Sequence, residues 1–200
     1  MRKSSFSILS LTALLLVGIF WQSASAYKVS KTKTKAEIKW NTPRMTYVVN
    51  TSGGPSGAMT AIRAAAQTWT KVSSASFTFK YGGRSSSTSH GTADGVNLVN
   101  FKAMGTTGTL AENYYWYYTT GPMFDSDIAV NTSYKWSTTR ASGTYDVQNI
   151  LTHEFGHSLS LDDLYGSSDK EKTMYGYSAT RETKKRSLSS DDIKGIAHLY

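Results

Sequence analysis

The chain contains no cysteine. No disulfide can brace the fold and no lipid can be attached through a thiol, so stability has to come from packing and from any bound ion. Long apolar runs are missing too. The longest, Ile8 to Phe20, is 13 residues, short of the roughly 18 or more that a membrane-spanning helix needs. Arg2 and Lys3 precede it and Ala24-Ser25-Ala26 follows, the layout of a secretory signal, so residues 1–26 read as a signal peptide. A retained N-terminal anchor is the alternative. Removing that segment leaves 174 of the 200 residues, enough for one domain with a real core, expected over residues 39–200. Residues 27–38 read as a basic N-terminal leader or short prosegment. Its first part, YKVSKTKTK, lacks apolar periodicity and is expected to be disordered. The mature chain is expected to be extracellular, monomeric and without membrane attachment.

Acidic residues are the minority, 14 against 22 basic. Without Arg2 and Lys3 the balance is 20 to 14, a net charge near +6. Basic proteins associate readily with acidic surfaces, but these cations are scattered. The densest run, Lys184 to Arg186, reads as a solvated face, and no nucleic-acid-binding motif accompanies it. A nucleic-acid partner is therefore not expected.

Against these absences stands one dense segment, HEFGHSLSLDD, from His153 to Asp163. His153 and His157 are four apart, so on a helix both imidazoles project from one face. Such a pair suits two ligands of one ion. Zinc accepts imidazole nitrogen and carboxylate oxygen, and a catalytic site keeps the fourth position for water. Glu154, beside that opening, is placed to act as general base. The third ligand has to come from elsewhere: Asp163, six residues past His157, its neighbour Asp162, or a Glu on a later helix such as Glu171 or Glu182. The segment predicts a metal-dependent hydrolase. The rival from another class is a non-catalytic secreted module with a structural zinc, binding peptide or glycan through its aromatic strand; a closed structural site has no need of Glu154.

The segment resembles the metzincin signature HExxHxxGxxH, in the variant where Asp replaces the last His. KTMYGY, with Met174 eleven residues past Asp163, resembles the Met-turn of that clan. LSSDDIKGIAHLY, AIRAAAQTWTKVSSASFTF and FDSDIAVNTSYKW are similar to matrixin segments, so the resemblance covers roughly Lys39 to Tyr200. It implies an α+β, matrixin-like catalytic domain: a twisted mixed sheet of about five strands with three helices. It further implies a secreted zinc endopeptidase acting on protein or peptide, with His153, His157 and Asp163 as zinc ligands, Glu154 catalytic, and Leu110, Ala111, Tyr175 and Tyr177 along the substrate. Without cysteine, a propeptide thiolate cannot silence the zinc. Ser160 stands where the signature has Gly, at a point where the backbone leaves the helix with positive φ.

Along the chain, Met45, Tyr47 and Val49 alternate as in a half-buried strand. Helical spacing runs from Gly57 to Val72, with Ser56 as cap. Phe77, Phe79 and Tyr81 suggest a second strand, Gly82 to Gly95 a loop, and Val96 to Phe101 a third strand. Tyr114 to Tyr118 is a strand with no plainly solvent face. It reads either as the edge along which an extended peptide pairs, as the resemblance implies, or as an ordinary core strand. Where matrixins often place a His for a structural zinc, Glu112 follows Leu110-Ala111, and His90 stands alone, so no structural zinc is expected. Ile128 and Val130 mark a last strand, Tyr145 to Ser160 the active-site helix, and Ser190 the cap of a final helix carrying His198, read as a packing or surface residue. Asp125, Asp127, Asp169, Asp191 and Asp192 are candidate calcium ligands, since the family often binds calcium, although no EF-hand spacing is present.

Overall fold

In a computed structural model of the chain, residues 27–200 are described. The signal-peptide reading of residues 1–26 lies outside them. A mixed six-stranded sheet is built from β1 (Lys39–Trp40), β2 (Arg44–Val49), β3 (Thr78–Arg84), β4 (Asn97–Lys102), β5 (Ala111–Tyr117) and β6 (Pro122–Asn131). Its order is β1-β6-β4-β2-β3, all parallel, with β5 antiparallel on the other side of β6. A small parallel pair, β7 (Trp136–Ser137) and β8 (Tyr145–Asp146), leads into the helical half. Three helices complete the domain: α1 (Ala58–Thr70), α2 (Val147–His157) and α3 (Ser190–Leu199). The α+β class and the mixed sheet with three helices are as expected.

Alternation in β2 buries Met45, Tyr47 and Val49 on one face. Against that face α1 presents Ala58, Ala61, Ile62, Ala65, Ala66 and Trp69, all buried. Its small alanines leave room for α2 to lie alongside, and Trp69 Nε1 donates to the Thr152 carbonyl at 2.7 Å. Phe155 of α2 meets the sheet edge-on, 5.2 Å from the Tyr47 ring and 4.9 Å from that of Phe79. Fully burying one such aromatic contributes roughly 1.5–3 kcal/mol, so α2 is fixed chiefly by its apolar side.

The helix caps differ from the sequence expectation. Gly57 enters α1 at φ 80° and no side chain caps it, so Ser56 is not the cap. A residue with no Cβ makes that turn without one. Asp146 caps α2, accepting from Asn149 N at 2.9 Å, and the helix stops at His157. Ser189, one residue earlier than expected, caps α3 in a reciprocal box with Asp192. Asp192 is itself buried and accepts from Thr173 N at 2.8 Å and Met174 N at 3.2 Å.

Three further expectations are corrected. The leader is ordered: Ser30 N donates to Ser160 O, Asp162 N to Lys28 O, and Ile38 is buried. Its strand-like bridge from Val29 to Leu161 supplies an order that periodicity could not show. The run Lys184–Arg186 is not a solvated face, because Lys185 is 2% exposed and Arg186 pairs with the buried Asp146. The loop after β3 starts past Arg84, since β3 runs on through Gly82 and Gly83 beside β2.

That loop is pinned by carboxylates. Asp127 accepts from the amides of Gly91, Thr92 and Leu98, and Asp125 from Gly95. His90 packs on Tyr114, with Glu112 3.9 Å away, so it does not stand alone. Asp169 and Asp191 pair with Lys172. His198 pairs with Glu37 at the surface.

Asp192→Ala would leave two buried amides unsatisfied at about 1–3 kcal/mol each, so urea unfolding should show a loss of about 3 kcal/mol; a loss under 1 would remove this account. Ser160, fully buried at φ 69° with an unpartnered hydroxyl, is strained. Ser160→Gly should raise stability by about 1 kcal/mol, a Tm gain of about 2–4 °C by calorimetry; an unchanged or lower Tm would contradict it.

Candidate active site

The site is made where α2 ends. His153 is buried and its Nδ1 lies 2.8 Å from the Thr173 carbonyl, while His157 Nδ1 lies 2.7 Å from the Leu161 carbonyl. A carbonyl only accepts, so each Nδ1 carries a proton, and in the neutral imidazole each Nε2 presents its lone pair. The two Nε2 atoms are 3.1 Å apart. Asp163 Oδ1, buried and without a hydrogen-bond partner, lies 3.1 Å from His153 Nε2 and 3.5 Å from His157 Nε2.

Three such acceptor atoms facing one another at these distances repel unless a proton or a metal cation lies among them. Two ligand atoms each about 2.0–2.1 Å from one tetrahedral zinc are about 3.3 Å apart, and the three observed separations bracket that value. Donor types and spacing therefore fit a zinc ion bound by two imidazoles and one carboxylate. Of the two adjacent aspartates, Asp163 joins this group, and Asp162 turns away to Ser30 and Lys28. Neither later glutamate approaches it: Glu182 accepts from Asn149 and Ser178, and Glu171 is at the surface beside Lys184.

Second partners hold the arrangement. Ser160, with its positive φ, closes the turn that swings Asp163 back over the helix, donating to the His157 carbonyl at 2.8 Å. Tyr165 Oη donates to Asp163 Oδ2 at 3.0 Å. Met174 packs under α2 against Gly156, where a Cβ would overlap its sulfur and press on Trp69. The turn around Met174 thus touches both the helix and, through Thr173, the tautomer of His153. Asn113 of β5 reaches across to donate to the Glu154 carbonyl at 3.1 Å and to Ser158 Oγ at 2.8 Å, fixing the edge strand to the helix.

A cleft of about 550 Å3 opens over these groups. Gly108 to Asn113 and Tyr115 line one side, with Leu110 and Ala111 among them. Tyr165, Gly176, Tyr177 and Ser178 line the other, while Tyr145, Ile150 and Lys185 join the four site residues. Tyr175 does not line the cleft; its ring packs on Tyr177. β5 is an edge strand, pairing among the described residues only with β6, and Tyr114 and Tyr117 on it are exposed. Asn113, Tyr165 and Lys185 were not singled out by sequence. Their roles depend on contacts across 41, 2 and 10 residues, and only the nearness of Tyr165 to Asp163 left a local trace.

Electrostatics follow from burial and crowding. Glu154 is almost fully buried, which raises its pKa, with the two histidines pulling it partly back. Burial would lower the pKa of His157, but the adjoining Asp163 and Glu154 charges overturn this and push it up to about 9. Asp163 is disfavoured as an anion by burial, yet the two imidazoles hold its pKa well below the carboxylate range. Without a metal ion, then, the site takes up a proton.

A folded pKa near 9 for His157 against roughly 6.5 unfolded means its protonation stabilises the fold fully below pH 6.5. That contribution is lost as pH rises through 9. Chelator-treated protein should therefore lose thermal stability between about pH 6.5 and 9, and zinc-loaded protein should not, because zinc replaces the proton. Coincident pH profiles with and without zinc would contradict this.

Among known proteins, the family model described as Matrixin, Peptidase_M10, matches residues 39–200. Neutrophil collagenase of Homo sapiens is 45% identical over 62 residues, 31% of this chain and 13% of its own length. Matrilysin of Felis catus is 34% identical over 93 residues, 46% of this chain and 32% of its own. Matrix metalloproteinase-18 of Xenopus laevis is 31% identical over 141 residues, 70% of this chain and 28% of its own. The chain spans a third or less of the length of these relatives. With the family model covering most of it, the chain belongs to the matrixin family of the metzincin clan.

Proposed function

We propose that the protein is a secreted, zinc-dependent endopeptidase in which His153, His157 and Asp163 hold the ion and Glu154 moves the proton. The convergence of two imidazole nitrogens and one carboxylate oxygen within ligand distance of one point carries this reading. Zinc bound there would supply a Lewis acid that brings the pKa of water to about 7 and polarises the scissile carbonyl. Glu154, raised in pKa by burial, takes the proton of the attacking water and passes it to the leaving amine; such acid–base work contributes typically 10²–10⁴-fold.

An extended substrate lies along β5, whose outer edge leaves backbone groups free for pairing, and Leu110 and Ala111 come first on that path. The residue after the scissile bond enters the part of the cleft walled by Gly176 and Tyr177. Tyr175 would support that wall from behind. Residues 1–26 would serve as signal and 27–38 as leader to a monomeric domain over 39–200. No helix among the described residues is long and apolar enough to cross a membrane.

Purified residues 27–200 should cleave a mixed peptide library in zinc, and Glu154→Gln should lower the rate at least about a hundredfold while metal analysis still finds one zinc per chain. Full activity in that variant would refute the role of Glu154. Asp163→Ala should lose the zinc in dialysis and Asp162→Ala should keep it; the reverse pattern would move the third ligand to Asp162.

A further inference from the structure

Lys185 is buried to 2% exposure, yet it lines the cleft. Its ammonium carries three donors. Two are spent on the carbonyls of Tyr175 and Tyr177, the latter at 3.0 Å. The third has no acceptor among the described residues, and no carboxylate there comes within ion-pair distance of Nζ. Glu182, the carboxylate that acts on it most strongly, is already held by Asn149, Ser178 and Lys184. A buried charge left without a counter-ion is costly, and folding keeps this one beside a cleft.

Position narrows the purpose. Lys185 N donates to Asn149 Oδ1 at 2.8 Å, so the residue is anchored beside α2 four residues before His153, about 6 Å along the helix axis. Its Nζ grips the backbone of the wall formed by residues 175–177. With a divalent ion held by the site, Asp163 and Glu154 balance its charge, and Lys185 is the surplus positive group. Burial pulls the Lys185 pKa down while the surrounding carboxylates pull it back; an incoming carboxylate adds to the latter effect.

Resting on the endopeptidase reading above, we infer that Lys185 forms the floor of the subsite for the residue after the scissile bond and selects an acidic side chain there. The substrate carboxylate accepts the third N–H of the ammonium, completing its shell. The same ammonium, through its two carbonyl contacts, sets the shape of the wall.

The test uses binding as well as turnover. Zinc-loaded Glu154→Gln protein is titrated with fluorescein-labelled hexapeptides that differ only in Asp, Glu, Leu or Lys after the intended scissile bond, read by fluorescence anisotropy. The acidic peptides should bind at least tenfold tighter than the Leu peptide. Adding Lys185→Met should erase that preference, and adding Lys185→Arg should retain it. Equal binding, or preference for Leu or Lys, would overturn the inference whatever the folding of the Lys185 variants, because the Glu154→Gln protein alone reports it. Wild-type protein is assayed for cleavage of the same peptides. Cleavage with an apolar preference would sink the role of Lys185 and leave the endopeptidase; acid-selective binding without cleavage would sink the endopeptidase and leave a carboxylate subsite.

Discussion

The carboxylate of Asp192 is the contact on which the site most depends. It is buried at the start of α3, takes the Ser189 amide at 2.9 Å, and gathers the amides of Thr173 and Met174. Those two residues then do separate work. The Thr173 carbonyl fixes the proton of His153 on Nδ1, and Met174 fills the hollow that Gly156 leaves in α2. One helix cap therefore decides which nitrogen of an imidazole faces the cleft. Such second partners govern the orientation and basicity of a ligand as much as the ligand's own identity does.

The site is otherwise a balance of deliberate discomforts. Two imidazole nitrogens and a carboxylate oxygen are held face to face, Ser160 is held in a left-handed turn, and Lys185 is buried with an unfilled donor. Each costs stability, and a chain without cysteine has no covalent brace to offset it. The compensation is packing: Trp69, Tyr47, Phe77 and Phe155 are among the largest fully buried side chains, and all lie in one cluster with the two central helices. Strained groups of this kind persist where the surrounding structure over-determines them.

The convergence of His153 and His157 was readable because an α-helix converts a spacing of four into one face. The alternation of β2 and the stripe of α1 were readable as well, and the positive φ at Ser160 was implied by the resemblance to the signature. The leader was misread because its order comes from a partner 132 residues away, through Val29 and Leu161, and its own composition is that of a solvated strand. Lys185 was misread for the same reason: three consecutive cations look exposed, and only the fold separates one that binds Glu171, one that binds carbonyls and one that binds Asp146. The choice between Asp162 and Asp163 hung on the turn after α2, which neighbouring carboxylates cannot reveal. The edge position of β5 likewise comes from topology and not from the pattern of its tyrosines.

The dependence of His153 on Asp192 also spreads the site well beyond the cleft. The turn at Thr173 and Met174 is tied on one side to α3 through Asp192 and on the other to the segment after α2 through the Leu164 amide. A change in the first turn of α3 therefore reaches the imidazole of His153 across two hydrogen bonds without touching any proposed ligand.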